Sequence, residues 1–270
     1  MYSYETFIQV SLMMKRDGHK LDDSIVDNLN NVRRILQIPV IENIKKTVIV
    51  KKESTISEIL KILNKISEKN YEKLKGDLCV LVAAIDNLAD LNKITLVIFN
   101  IASSNLFYSK LFSKLYKELI EMNRSFYDIF QEHYHKYFTE LQAFDFTKTT
   151  DYDAFCEYTK KINQLDSTLM FFINLMKTNN CDIEHITDLC ILLENKLIED
   201  KEYENVEQNE QFLHCIYIIL KECVDYILFH ENLESIVHKV KEIKQHPKLS
   251  PKMKFKCMDL DDIIKVHLVI

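Results

Sequence analysis

Two glycines and three prolines in 270 residues leave few folds open. A β-sandwich or barrel needs Gly, Pro and Asn at its many turns, and a parallel α/β sheet needs Gly at its tight loops. Helix is what remains. The chain has no Trp, no Gly-rich phosphate loop, no Gly-x-Ser-x-Gly elbow and no His-Glu-x-x-His pair. With these motifs missing, the chain does not read as an enzyme. Arginine is nearly absent too: Arg16, Arg33, Arg34 and Arg124 are the only ones among 35 basic residues. Together with abundant Ile and Asn, that bias fits an AT-rich genome, such as that of a protist or a large DNA virus. No basic segment precedes a long apolar run at the N-terminus, so no signal peptide is expected. The apolar run Thr95–Ile101 is too short to cross a bilayer.

What is present describes a folded protein. Hydrophobic residues make up 47% of the chain and charged residues 28%, enough to bury a core. A net charge of −6 is not that of a dedicated nucleic-acid binder, so any RNA contact must come from local patches. Seven cysteines without a repeated spacing, in contexts such as Leu189-Cys190-Ile191, read as reduced core thiols of a cytoplasmic protein.

Apolar residues recur at helical spacing through most of the chain. Leu21–Leu36 predicts a helix that Pro39 stops, and Val40–Val50 reads as a short helix or an extended link. Thr55-x-x-Glu58 predicts a capping box, followed by the apolar face Ile59, Leu60, Ile62, Leu63 and Ile66. Further helices are expected from about Asn70 and over 86–101, 105–121, 123–142, 152–177, 183–198, 209–229, 232–245 and 251–268. Asp151, Asp182 and Ser250 followed by Pro251 are the expected caps. The acidic stretch Glu199–Glu210 reads as a surface loop. Short connections between amphipathic helices predict an all-α fold, either stacked antiparallel pairs or a compact bundle. No metal site is expected. Cys181-x-x-x-His185-x-x-x-x-Cys190 fits no zinc spacing and reads as a buried thiol beside a surface histidine. His133 and His135, two apart on a helix, point in different directions.

Four blocks occur in order along the chain. They are Leu63-Asn64-Lys65-Ile66-Ser67-x-x-x-Tyr71-x-x-Leu74; Ile98-Phe99-x-x-Ala102 with Tyr108-x-x-x-Phe112-Ser113-x-Leu115; Phe171-Phe172-Ile173-x-Leu175; and Ser250-Pro251-Lys252-Met253-Lys254-Phe255-x-x-x-Asp259-Leu260. This series resembles the middle domain of eukaryotic translation initiation factor 4G over about Ser54–Ile270. The family's Gly near the Phe-rich helix is missing, and Lys252 and Lys254 stand where it usually has Arg.

The resemblance implies a HEAT-like α-solenoid over 54–270, preceded by a helical extension over 1–53. It implies a translation-initiation scaffold that binds and stimulates a DEAD-box RNA helicase of the initiation factor 4A type and contacts RNA weakly, without a cofactor. The alternatives are an adaptor of the same fold in mRNA decay, splicing or nuclear cap binding, and a helical interaction subunit with no RNA role. The expected helicase-facing charges are Lys252, Lys254, Lys256, Asp259, Asp261 and Asp262, or else these are solvated charges on a capped helix whose Phe255 and Met258 belong to the core. Lys45, Lys46, Lys51, Lys52, Lys239, Lys241 and Lys244 either contact phosphates or are solvated lysines. Tyr2-x-x-x-x-Phe7-Ile8 is a Phe variant of the motif by which the family recruits a cap-binding protein, or part of a core helix.

Overall fold

The computed structural model describes residues 55–146, 150–178, 182–200, 202 and 204–268, together with the isolated positions 22, 24, 27, 28 and 31. Of the expected helix 21–36, positions 24, 27, 28 and 31 are helical. The segment Val40–Val50, the motif Tyr2–Ile8, Cys181, and the lysines Lys45, Lys46, Lys51 and Lys52 lie outside the described residues. The chain divides into two units, Met1–Lys52 and Glu53–Ile270. All helices named below belong to the second.

The expected all-α class holds: the described residues form ten α-helices, one short 3₁₀ turn and no strand. The helices are α1 (Thr55–Lys65), α2 (Tyr71–Ala83, preceded by the 3₁₀ turn Glu68–Asn70), α3 (Leu88–Ser104), α4 (Ser109–Met122), α5 (Arg124–Ala143), α6 (Tyr152–Lys177), α7 (Ile183–Glu199), α8 (Val206–Ile227), α9 (Leu233–Lys244) and α10 (Pro251–Leu268).

With so little Gly and Pro, Asn and Asp supply the punctuation. Side-chain oxygens of Asn87, Asn123, Asp151 and Asn205 accept from amides two or three residues on, at 2.8, 2.9, 2.9 and 3.1 Å, satisfying donors that the first turns of α3, α5, α6 and α8 leave open. Asp182 takes the cap position of α7 with extended backbone but makes no capping hydrogen bond. Asn70 clasps the α1–α2 turn, accepting from the Ser67 amide at 2.7 Å and donating to the Lys65 carbonyl at 2.9 Å. Asn105 shapes the α3–α4 turn by accepting from the Tyr108 amide at 3.0 Å. That turn delays α4 to Ser109. The expected loop at Glu199–Glu210 is shorter than its composition suggests, because the Asn205 cap starts α8 at Val206.

The main contacts join α1 to α2 and α3; α3 to α4, α5 and α6; α4 to α5 and α6; α5 to α6; α6 to α7 and α8; α7 to α8 and α9; α8 to α10; and α9 to α10. At the centre Phe99, Tyr116, Phe126, Phe130, Phe171 and Phe172 are fully buried. They meet mostly edge to face, as at Phe130–Phe172 (centroids 5.6 Å apart) and Tyr116–Phe171 (5.4 Å). Two buried polar side chains there are paired across helices. The Tyr116 hydroxyl donates to the Phe126 carbonyl at 2.8 Å, and the Asn174 amide to the Ser109 hydroxyl at 2.9 Å. Among the described residues no helix is long and apolar enough to cross a membrane.

Candidate functional site

Helix α10 carries six of the sequence-derived site residues, and its first turn is fixed twice over. The Ser250 hydroxyl accepts from the Met253 amide at 3.2 Å, the expected cap, and donates to Glu210 Oε1 of α8 at 2.9 Å. Pro251 then occupies the first helical position, where no amide is needed. Met253, Cys257, Leu260 and Ile264 face the core at three- and four-residue intervals. Burial pushes the Cys257 thiol up to about 11, which keeps it inert.

The six charges divide between two faces. Lys252 pairs with Glu210 at 2.7 Å, the Lys256 ammonium sits 4.0 Å from the Tyr217 ring centroid, and Asp261 pairs with Lys244 of α9. These three fasten α10 to its neighbours. Burial against α8 holds the Lys256 ammonium below its ordinary range. Lys252 and Lys256 also line a cavity of about 200 Å³ with Gln211, His214 and Met253 between α8 and α10. Lys254, Asp259 and Asp262 are exposed on the other face.

The apolar residues of α10 correct the sequence reading. Phe255 and Met258 are not core; they are 67% and 54% exposed. Met, Cys, Leu and Ile on the opposite stripe fill the interior instead, so Phe255 and Met258 stand among Lys254, Asp259 and Asp262 as an unpartnered patch.

The lysines of α9 do not form one surface. Lys244 is engaged by Asp261, whose hydrogen bond holds its ammonium above the ordinary range. Lys241 is exposed, and Lys239 is half-buried. Lys239 exerts its charge on Glu194, a fully buried α7 carboxyl whose two oxygens have no hydrogen-bond partner among the described residues. Burial pushes Glu194 up to about 9 against the pull of Lys239, so the group is a neutral acid at pH 7. Glu194 lies on the buried stripe of Cys190, Leu193 and Leu197 rather than on a polar helix face.

The six described cysteines are free thiols, with Cys190, Cys215, Cys223 and Cys257 buried and Cys156 exposed. His185 is half-buried rather than a surface residue, its ring 4.9 Å from that of Tyr134. His133 stacks on Phe99 at 4.4 Å, and burial lowers its basicity. No cluster of three metal-ligating side chains occurs among the described residues.

An open groove lies between α3 and α6, lined in part by Asn100, Phe155, Lys160 and Gln164. Its residues come from distant parts of the chain and follow no local pattern. No family model matches this chain, and no curated protein matches it either.

Proposed function

We propose that this protein is a non-catalytic helical scaffold that docks a DEAD-box RNA helicase of the initiation factor 4A type on the outer face of α10 and contacts RNA weakly. The observation that carries the proposal is the exposed pair Phe255 and Met258 framed by Lys254, Asp259 and Asp262, within the motif that most resembles the initiation factor 4G middle domain. An aromatic anchor inside a charged rim is the usual make-up of an interaction hot spot.

The helix contacts support a HEAT-like solenoid as the frame. The pairs α1–α2, α3–α4, α5–α6, α7–α8 and α9–α10 each touch internally. Neighbouring pairs meet through α1–α3, α3–α5 and α7–α9 on one side and α4–α6, α6–α8 and α8–α10 on the other. Stacking of this kind gives a stiff support. A stiff support in contact with both lobes of an ATPase lowers the entropic cost of closing them and raises turnover without adding a catalytic group.

The test is the RNA-dependent ATPase rate of purified initiation factor 4A with and without this protein. Stimulation is expected. Phe255→Ala should weaken it by about 2 kcal/mol, or roughly thirtyfold in affinity. Asp259→Lys should do the same, and circular dichroism should be unchanged because both side chains are exposed. No stimulation, with no binding at about 50 μM, a free energy near −6 kcal/mol, rejects the proposal. Capture of a different DEAD-box ATPase in its place moves the scaffold to decay, splicing or nuclear cap binding.

A further inference from the structure

Helix α10 packs one side against α8 and α9 and leaves the other uncovered among the described residues. On that outer side Phe255, Met258 and Asp262 recur at three- and four-residue intervals, one stripe that begins at Pro251. An exposed aromatic beside an exposed thioether, rimmed by charge, marks an association surface.

The charges around the stripe are ordered along the helix. Lys252 and Lys254 precede Cys257, Asp259 and Asp262 follow it, and all four are exposed. Lys256 and Asp261 repeat the order, but Tyr217 and Lys244 engage them. Lys252 is held by Glu210, yet its side chain stays 70% exposed, so its ammonium keeps donors for a second carboxylate.

We propose that this stripe is covered by α10 of a second copy of the chain, the two helices meeting antiparallel about a two-fold axis between Lys256 and Cys257. In a two-fold interface each contact is made twice, once in each direction. That axis sets Phe255 on Met258 of the second copy, and Met258 on the second copy's Phe255. It brings Lys252 and Lys254 to the second copy's Asp259 and Asp262. Each Asp262 then lies close to the first turn of the other α10, where the helix dipole favours an anion. Parallel helices would set lysine on lysine and aspartate on aspartate, so the charges select the antiparallel order. Because a two-fold contact closes on itself, assembly stops at two copies.

One helix face buries less than the ~800 Å² per partner of a stable interface, so the dimer is weak, with a Kd on the order of 100 μM. The helicase proposal uses the same face, and a second copy and a helicase would exclude each other there. The inference does not rest on that proposal, since association is measured without a helicase.

Sedimentation equilibrium of the full chain from about 10 to 500 μM tests it. The native mass should rise from the 32.1 kDa of one copy toward twice that value. Phe255→Ala, Lys254→Glu, and Asp259→Lys with Asp262→Lys should each weaken association at least about fivefold. These side chains are exposed, so the fold is expected to survive each change. Mixing the Lys254→Glu protein with the Asp259→Lys/Asp262→Lys protein sets unlike charges opposite each other again. The mixed dimer should be at least as tight as the native one. A mass of one copy at every concentration overturns the inference and leaves the face to a different partner. A dimer indifferent to these changes overturns it as well, as does a mixture no tighter than its separate variants or growth beyond two copies.

Discussion

Phe172→Ala is expected to lower folding stability by about 3–5 kcal/mol, a large share of the ~5–15 kcal/mol typical of a domain. Phe172 is fully buried, and its ring lies 5.6 Å from those of Phe130 and Tyr134, 5.7 Å from Tyr137 and 6.5 Å from Phe99. One side chain of α6 therefore touches aromatic rings of both α3 and α5. Truncation removes its dispersion contacts and leaves a cavity that rigid aromatic neighbours are slow to fill. Phe172→Leu keeps most of the volume and should cost only about 1–2 kcal/mol. Urea titrations followed by circular dichroism measure both. A loss below about 1 kcal/mol for Phe172→Ala would mean that the aromatic cluster is not where the stability of α3, α5 and α6 resides.

The second large effect belongs to Glu194 and depends on pH. In the unfolded chain this carboxyl ionises near 4.5, and in the folded protein it keeps its proton up to about 9. Between those values the native state holds one more proton than the unfolded state. Its contribution is therefore fully present below pH 4.5 and is lost as pH rises toward 9, at about 1.4 kcal/mol per pH unit. By pH 7 the loss is about 3 kcal/mol.

Glu194→Gln removes that slope, and Glu194→Met also removes the orphaned polar atoms. At pH 8 the Met variant should exceed the native protein by roughly 2–4 kcal/mol. The informative quantity is the difference in unfolding free energy between native and variant from pH 5 to 9, because other titrating groups cancel in it. A difference that stays flat across that range would show Glu194 ionised in the fold and held by Lys239.

The particular residues show how much the sequence can disclose. The starts of α6 and α10 are legible to the residue, because Asp151 and Ser250-Pro251 are local signals that act within one turn. The start of α8 is not, since its exposed, charged first turn has the composition of a loop and only Asn205 marks the change. The exposure of Phe255 and Met258 is hidden for a different reason. Helix α10 carries apolar residues on two faces, and periodicity cannot say which one another helix covers. Glu194 sits among Leu and Cys on a buried stripe, where a charge by default signals solvent. The groove requires Asn100 to meet Asn163 and Gln164, and only tertiary packing brings them together.

Helix α6 combines two unlike stretches of backbone. Its C-terminal stretch from Phe171 to Met176 is buried without interruption, whereas residues 152–157 are all exposed. The exposed turns are helical because the Asp151 cap closes one end and an already formed helix templates the other, so they never bear the cost of nucleation. Such turns can unwind and rewind one by one while the aromatic core is untouched, and their amide protons are then released to solvent at a free energy far below that of global unfolding. The α6 wall of the groove is therefore expected to open from its N-terminal turns at a lower free energy than the α3 wall opposite it, which the buried Ile98 and Phe99 anchor.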